Sequence, residues 1–236
     1  MSNKHKSKIL AIIPARGGSK GIPKKNIVNI NGKPLIQYTI EVAKESKLID
    51  RVIVSTDDDE IAEISEKLGA EVPFIRPAEL AKDDTPTFPV IKHALKWLKE
   101  NEKYKPELIV LLEPTFPLRT VEKVDEAIKV ISSDEEADSL RGVCEPFQNP
   151  FKMWIPCGKY LKPLIKEKEI MYEKPRQNLR KVFWQNGYIY ISRYRTIMDK
   201  KSLHGEKILP FILSENNFID IDTEEDLKLL KRYLKK

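Results

Sequence analysis

KILAIIPARGGSKGIPKKN, residues 8–26, decides the fold. Its first seven residues, Lys8 to Pro14, are a short apolar run stopped by proline, the pattern of a strand buried on both faces of a parallel sheet. A glycine-rich basic turn follows from Ala15 through Asn26. A turn of this kind after a strand can point several backbone N–H groups into one concavity that suits phosphate oxygens. Arg16, Lys20, Lys24 and Lys25 add charge, and arginine grips a phosphate through two parallel hydrogen bonds. The turn carries neither a GxGxxG nor the Gly-Lys-Ser/Thr ending of a P-loop. A solvated basic turn is the competing reading. Its place after the first strand of an α/β sheet favours polyphosphate.

Outward from this segment, strand and helix patterns alternate. Pro34 suits a first helical turn, with Ile36, Ile40, Ala43 and Lys47 on one face. Arg51 to Thr56 reads as a strand, and Asp57 to Asp59 open a helix whose apolar face is Ile61, Ile64, Ser65 and Leu68. Val72 to Ile75 reads as a short strand. A helix bearing Ile91, Ala94, Leu95 and Leu98 comes after the polar stretch Ala81 to Thr87. Leu108 to Leu112 is the most hydrophobic strand, and two prolines in EPTFPLR (113–119) stop its ladder and force a loop. Val121, Val124, Ile128 and Ile131 mark a helix, and Ser139 to Val143 a strand. The alternation predicts an α/β fold: a mostly parallel sheet with helices on both faces. Ligands then bind at the strands' carboxyl ends, in the loops after Pro14, Thr56, Leu112 and Ile221.

From Glu145 to Lys181 the chain becomes proline-punctuated and aromatic, with Phe147, Phe151, Trp154, Tyr160 and Tyr172 among many lysines. It reads as an insertion, either an interaction surface or a small core. Trp184 to Ser192, Ile208 to Leu213 and Phe218 to Ile221 return to strand character, and a helix with Leu227, Leu230 and Leu234 closes the chain.

The 236 residues, 41% hydrophobic and 33% charged, fit one domain with a real core. No apolar run approaches the length of a membrane span, and Met1 to Lys8 is too short and polar for a signal peptide. A cytoplasmic protein is expected, with Cys144 and Cys157 as free thiols. The net charge of +6 suggests nucleic acid, but its placement argues otherwise. Residues 1–40 hold eight basic groups and no acid, so the rest of the chain is slightly acidic. Aromatic residues are not interleaved with the basic stretch as base stacking requires. No nucleic-acid partner and no membrane are expected.

Asp220-Ile221-Asp222 is the second chemical feature. Strand alternation puts both carboxylates on one side and Ile221 on the other. Two such oxygen ligands suit a magnesium ion that also holds phosphates. The alternative is structural: Thr223-Glu224-Glu225-Asp226 has capping-box form, and Asp222 could cap the final helix.

Together, IPARGGSKGIPKKN, RVIVSTDDDEIAE, RPAELAKDDTPT, LLEPTFPLRT, PRQN with NGYIYI, and DIDTEEDL resemble, in order, the motifs of the acylneuraminate cytidylyltransferases. The resemblance implies a Rossmann-like nucleotidyltransferase domain over residues 1–236 with a dimerisation insert at about 145–182, and hence a homodimer. It implies that CTP and a 2-keto sugar acid give a CMP-sugar and pyrophosphate. By the same resemblance, Ala15, Arg16, Gly17, Gly18, Ser19, Lys20, Lys25 and Asn26 contact the nucleotide, as do Arg76, Thr85 and Thr87. Asp220 and Asp222 hold magnesium, and Arg16, Lys25 and Asp222 carry catalysis. Glu113, Thr115, Arg176 and Gln177 meet the sugar, the last two from the insert. The family has glutamine at Glu113, serine at Phe116, and Arg-Pro at Trp184-Gln185. A carboxylate at Glu113 repels a sugar carboxylate unless protonated or paired. This opens the choice among sialic, legionaminic, pseudaminic and less acidic sugars. A 3-deoxy-manno-octulosonate cytidylyltransferase and a non-enzymatic anion-binding module are the rival readings. The GGSKG loop and PRQN favour the sialic acid type.

Overall fold

The computed structural model describes residues 8–214 and 219–234. Lys4, Lys6 and Phe218 lie outside the described residues. In chain order come β1 (Ile9–Pro14), the short strands β2 (Asn29–Ile30) and β3 (Lys33–Pro34), α1 (Leu35–Glu45), β4 (Arg51–Ser55), α2 (Asp59–Lys67) and α3 (Thr87–Glu102). Then follow β5 (Leu108–Leu111), α4 (Val121–Ser132), β6 (Ser139–Cys144), β7 (Trp154–Cys157), β8 (Tyr160–Pro163), β9 (Trp184–Arg193), α5 (Tyr194–Met198), β10 (Ile208–Ile212) and α6 (Glu224–Tyr233). One six-stranded sheet has the order β10-β6-β9-β5-β1-β4. All its strands run parallel except β9, which pairs antiparallel with both β5 and β6.

The period of two in β1 divides the core. Ile9, Ala11 and Ile13 pack with Ile36 and Ile40 of α1 and with Val124 and Ile128 of α4. Leu10 and Ile12 face the other way, onto Ile91 and Leu95 of α3 and Ile197 of α5. Both sheet faces are thus covered, as the apolar run requires. Caps close the helices: Asp58 accepts from the Ile61 N–H, and Thr120 from the Lys123 N–H.

A third cluster positions the chemistry. Ile22 of the glycine turn, Ile30, and Leu35 of α1 pack against Ile221, Leu227 and Leu230. At roughly 1.5–3 kcal/mol per buried side chain, this cluster ties the two ends of the chain together. Asn31-Gly32 makes the β2–β3 turn with φ of 50° and 91°, the left-handed pair that a two-residue hairpin needs. At Gly21 an added Cβ would lie 2.6 Å from the Asp222 carbonyl oxygen, so only glycine permits that approach.

Three expectations need correction. Val72 to Ile75 is not a strand: only the isolated bridges Ile53↔Glu71 and Thr56↔Ile75 form, and Pro73 between them has no N–H to give. Ile219 to Ile221 pair in no ladder, though the Ile221 N–H donates to the Thr115 carbonyl at 2.9 Å. Pro34 precedes α1 rather than entering its first turn, and α1 stops before Lys47. Cys144 is buried and Cys157 is exposed. No described helix is long and apolar enough to cross a membrane.

Candidate functional site

β1 lies between β4, which follows it, and β5, which comes later, so the loops leaving β1 and β5 part at the sheet's carboxyl edge. Such a switch point opens a crevice. Here it is a cavity of about 470 Å³, lined by Arg16, Ser19, Lys20, Lys25 and Asn26 from the first loop, and Arg76, Thr85 and Thr87 before and at the start of α3. Glu113 and Thr115 after β5 and the pair Asp220 and Asp222 before α6 complete it.

The basic side is held by acids. Arg16 Nη2 lies 2.8 Å from one Asp83 carboxylate oxygen and Lys20 Nζ 2.9 Å from the other. Lys20 and Arg16 hold the Asp83 carboxyl below its ordinary range. Lys25 differs: its side chain is 16% exposed, and Nζ donates at 2.8 Å both to the Ile221 carbonyl and to the Asp222 carboxylate. Asn26 anchors the turn through Nδ2 to the Arg16 carbonyl at 2.9 Å.

Alternation survives at Asp220-Ile221-Asp222 without a ladder: Ile221 is in the core while both aspartates line the cavity. Asp222 does not cap α6. Thr223 does, in a capping box with Asp226, which leaves the Asp222 carboxylate to Lys25. Burial pushes the Asp220 carboxyl up against a hydrogen bond with Thr115, and Asp222 adds to the rise. Burial likewise raises Glu113, helped by Asp220. Beneath them Arg119, fully buried, donates from Nε to the Tyr188 carbonyl at 2.7 Å and from Nη2 to the Glu113 carbonyl at 3.1 Å. Burial lowers its pKa to about 10.

Other expected residues lie elsewhere. Ala15 is buried, its N–H on the Ser55 carbonyl. The Gly17 N–H donates to Asp57 at 3.0 Å, and neither Gly17 nor Gly18 lines the cavity. Lys24 turns outward to Glu60, so the crowding of four cations reduces to three. Arg76 reaches the cavity, but its Nε and Nη2 donate to the Ser55 hydroxyl and carbonyl. Arg176 and Gln177 sit in a 3-10 turn away from the cavity, with Arg176 donating to the Phe147 carbonyl at 3.3 Å. Phe116 lines neither large cavity; it is buried under Gly187, where an added Cβ would fall 2.5 Å from its ring.

A second cavity, about 530 Å³, opens on the α3 and α5 face of the sheet and shares Thr87 and Glu113 with the first. Phe88, Ile91, Ile109, Leu111 and Ile197 form its apolar walls, and Arg141, Gln185, Tyr190, Ser192, Lys201 and His204 its polar ones. Of its lining, Thr87, Glu113 and Gln185 are singled out by the sequence, and Arg141, a charge inside the buried strand SLRGVC, is a further signal. Asp83 and Arg119 were missed as well, since pairings across the fold decide their roles.

The sequence profile described as cytidylyltransferase matches residues 10–201. The chain is 34% identical to N-acylneuraminate cytidylyltransferase of Escherichia coli O18:K1:H7 over 95% of its length, but spans only 51% of that relative. It is 33% identical to pseudaminic acid cytidylyltransferase of Campylobacter jejuni, covering 95% of both chains. With CMP-N,N'-diacetyllegionaminic acid synthase of Campylobacter jejuni it shares 34%, over 95% of this chain and 94% of the relative. In structure it resembles CMP:2-keto-3-deoxy-manno-octonic acid synthetase complexed with CTP. That likeness has a TM-score of 0.73 at 17% identity, over 97% and 99% of the chains, and concerns the fold alone.

Proposed function

Since the chain belongs to the cytidylyltransferase family, we propose that it joins CTP to a 2-keto sugar acid, releasing pyrophosphate and a CMP-sugar of the sialic, legionaminic or pseudaminic type. The observation that carries this reading is the meeting of Lys25 with Asp222 at 2.8 Å, which brings a basic phosphate loop and a carboxylate pair from opposite ends of the chain into one cavity. CTP lies in the first cavity and the sugar acid in the second, with Glu113 at their junction.

The anomeric hydroxyl attacks the α-phosphorus in line. Arg16, Lys20 and Lys25 neutralise the charge that gathers on the departing pyrophosphate, electrostatic help that grows toward the transition state. To do so Arg16 and Lys20 exchange Asp83 for phosphate oxygens. Asn26 orders the loop, Ser19 contacts the nucleotide, and Thr85 and Thr87 line the nucleoside side. Arg119 fixes the Glu113 loop from below.

Asp220 and Asp222 suit magnesium: they are hard oxygen donors on one wall, and burial, with Asp222 adding to it, makes Asp220 resist ionisation, a strain a cation relieves. Asp220 and Asp222 are the residues that would hold it, alongside the substrate's phosphates. When bound, magnesium polarises the α-phosphate as a Lewis acid.

The 145–182 segment makes the homodimer in this reading. The β7–β8 hairpin leaves Trp154, Ile155, Tyr160 and Leu161 exposed, and an apolar surface of this kind asks for a partner. Arg176 and Gln177 then serve the partner's sugar. The test is a pyrophosphate-release screen of the four nucleoside triphosphates against a panel of 2-keto sugar acids. Release with CTP and one acid is expected; no release from any pair overturns the reading.

A further inference from the structure

In the proposed reaction the anomeric carbon of the sugar meets the α-phosphorus where the two cavities join, beside Glu113. The sugar's carboxylate is bonded to that carbon and stays there with it. What enters the second cavity is the tail of the sugar, so the walls of that cavity read the tail.

Its polar wall is poor in acceptors. The Leu203 carbonyl takes hydrogen bonds from Arg141 Nη2 and, at 2.6 Å, from the Ser192 hydroxyl, which occupies both of its lone pairs. The Ser202 oxygen accepts the His204 and Gly205 N–H groups, each at 3.0 Å. The Tyr190 oxygen accepts from Gln185 Nε2 at 3.2 Å. Beyond the same loop the buried Asp138 carboxylate accepts from the Glu206 and Lys207 N–H groups at 2.9 and 3.2 Å, which holds these pairings in place. Lys201 and the hydroxyls of Tyr190 and Ser202 can still donate. Gln185 keeps its carbonyl, and His204, held below its ordinary pKa by burial and by Arg141, keeps one ring nitrogen as an acceptor. The rest of the lining is the apolar wall of Phe88, Ile91, Ile109, Leu111 and Ile197.

A wall of this make suits a ligand that accepts more hydrogen bonds than it gives. A buried O–H without an acceptor costs its full desolvation, whereas a carbonyl finds donors here and a methyl gains on the apolar side. Sialic acid ends in a chain of hydroxyls. Legionaminic and pseudaminic acids replace part of that chain with a second acylamino group and end in a methyl. We propose that the second cavity selects a sugar acid of this deoxygenated, doubly acylated kind over sialic acid, with Phe88 as a specificity-determining residue of its apolar wall. The proposal rests on the cytidylyltransferase reading and narrows its substrate class.

The experiment compares legionaminic, pseudaminic and sialic acids by pyrophosphate release with CTP. The wild type is expected to favour one of the first two over sialic acid by about a hundredfold in kcat/KM, the range open to an apolar pocket facing added hydroxyls. Phe88→Asn, which replaces apolar surface with an amide that can accept, should bring that preference below tenfold by raising the KM for the favoured acid. Phe88→Leu should retain most of it. Equal use of the acids by the wild type, or preference for sialic acid, overturns the proposal. So does an equal loss with both kinds of acid in Phe88→Asn, the result of a merely structural role. Should Phe88→Asn not fold, the wild-type ratio and Phe88→Leu still decide, since loss of preference in the apolar variant also overturns it. Release with no acid at all instead overturns the parent reading, which separates the two failures.

Discussion

The two cavities are built by different means. The first is assembled from loops at the carboxyl edge of the sheet, and the three cations of its basic loop already have a carboxylate: Asp83 for Arg16 and Lys20, Asp222 for Lys25. The second is carved into a sheet face with apolar walls, and its buried cation, Arg141, has none among the described residues. A loop site can keep its charges paired until a ligand displaces the pair, because loops move at small cost. A strand residue cannot swing away, so Arg141 stays where the pleat puts it.

Breaking the acid wall of the first cavity should have the largest effect. Asp222→Asn is expected to abolish magnesium-dependent turnover while leaving the melting curve nearly unchanged, because Thr223 and not Asp222 caps α6. Thr223→Ala should do the reverse in stability, costing about 1 kcal/mol in denaturant titration. Lys25→Ala comes next: turnover should fall at least tenfold in a folded protein, and unchanged activity would remove the loop from the site.

Asp83→Asn tests whether paired cations wait for a ligand. It should lower the KM for CTP by roughly threefold, as the variant competes less with phosphate for Arg16 and Lys20; a higher KM would show that Asp83 orders these cations rather than occupying them. The smallest effect is a pH dependence. Burial raises the folded pKa of Glu113 above the ordinary value near 4.3. Its contribution to stability is therefore whole below that value and is lost as pH rises through the raised folded pKa. Glu113→Gln should melt higher than wild type at about pH 8 and no higher at about pH 4.

Much of this was legible in order along the chain. Apolar runs of β1, β4 and β5 and the 3.6-residue faces of α1, α3 and α4 are local signals, and they appear where the patterns put them. Val72 to Ile75 misled because an apolar run with a proline lacks the donor a ladder needs. The Asn31-Gly32 turn carried a readable hairpin signal that was passed over. The basic loop and the aspartate pair were visible as chemistry. Which of their atoms meet was not, because Lys25 and Asp222 are 197 positions apart.

The sequence by itself determined the α/β alternation, the glycine-rich basic turn after the first strand and the two aspartates flanking an inward isoleucine, since each follows from a pattern within a few residues. Only the tertiary structure decided that Lys24 faces Glu60, that Thr223 rather than Asp222 caps the last helix, and that Arg141 is a buried cation with no acid beside it among the described residues. A charge's partner is set by distance in space, and composition counts charges without saying which of them meet.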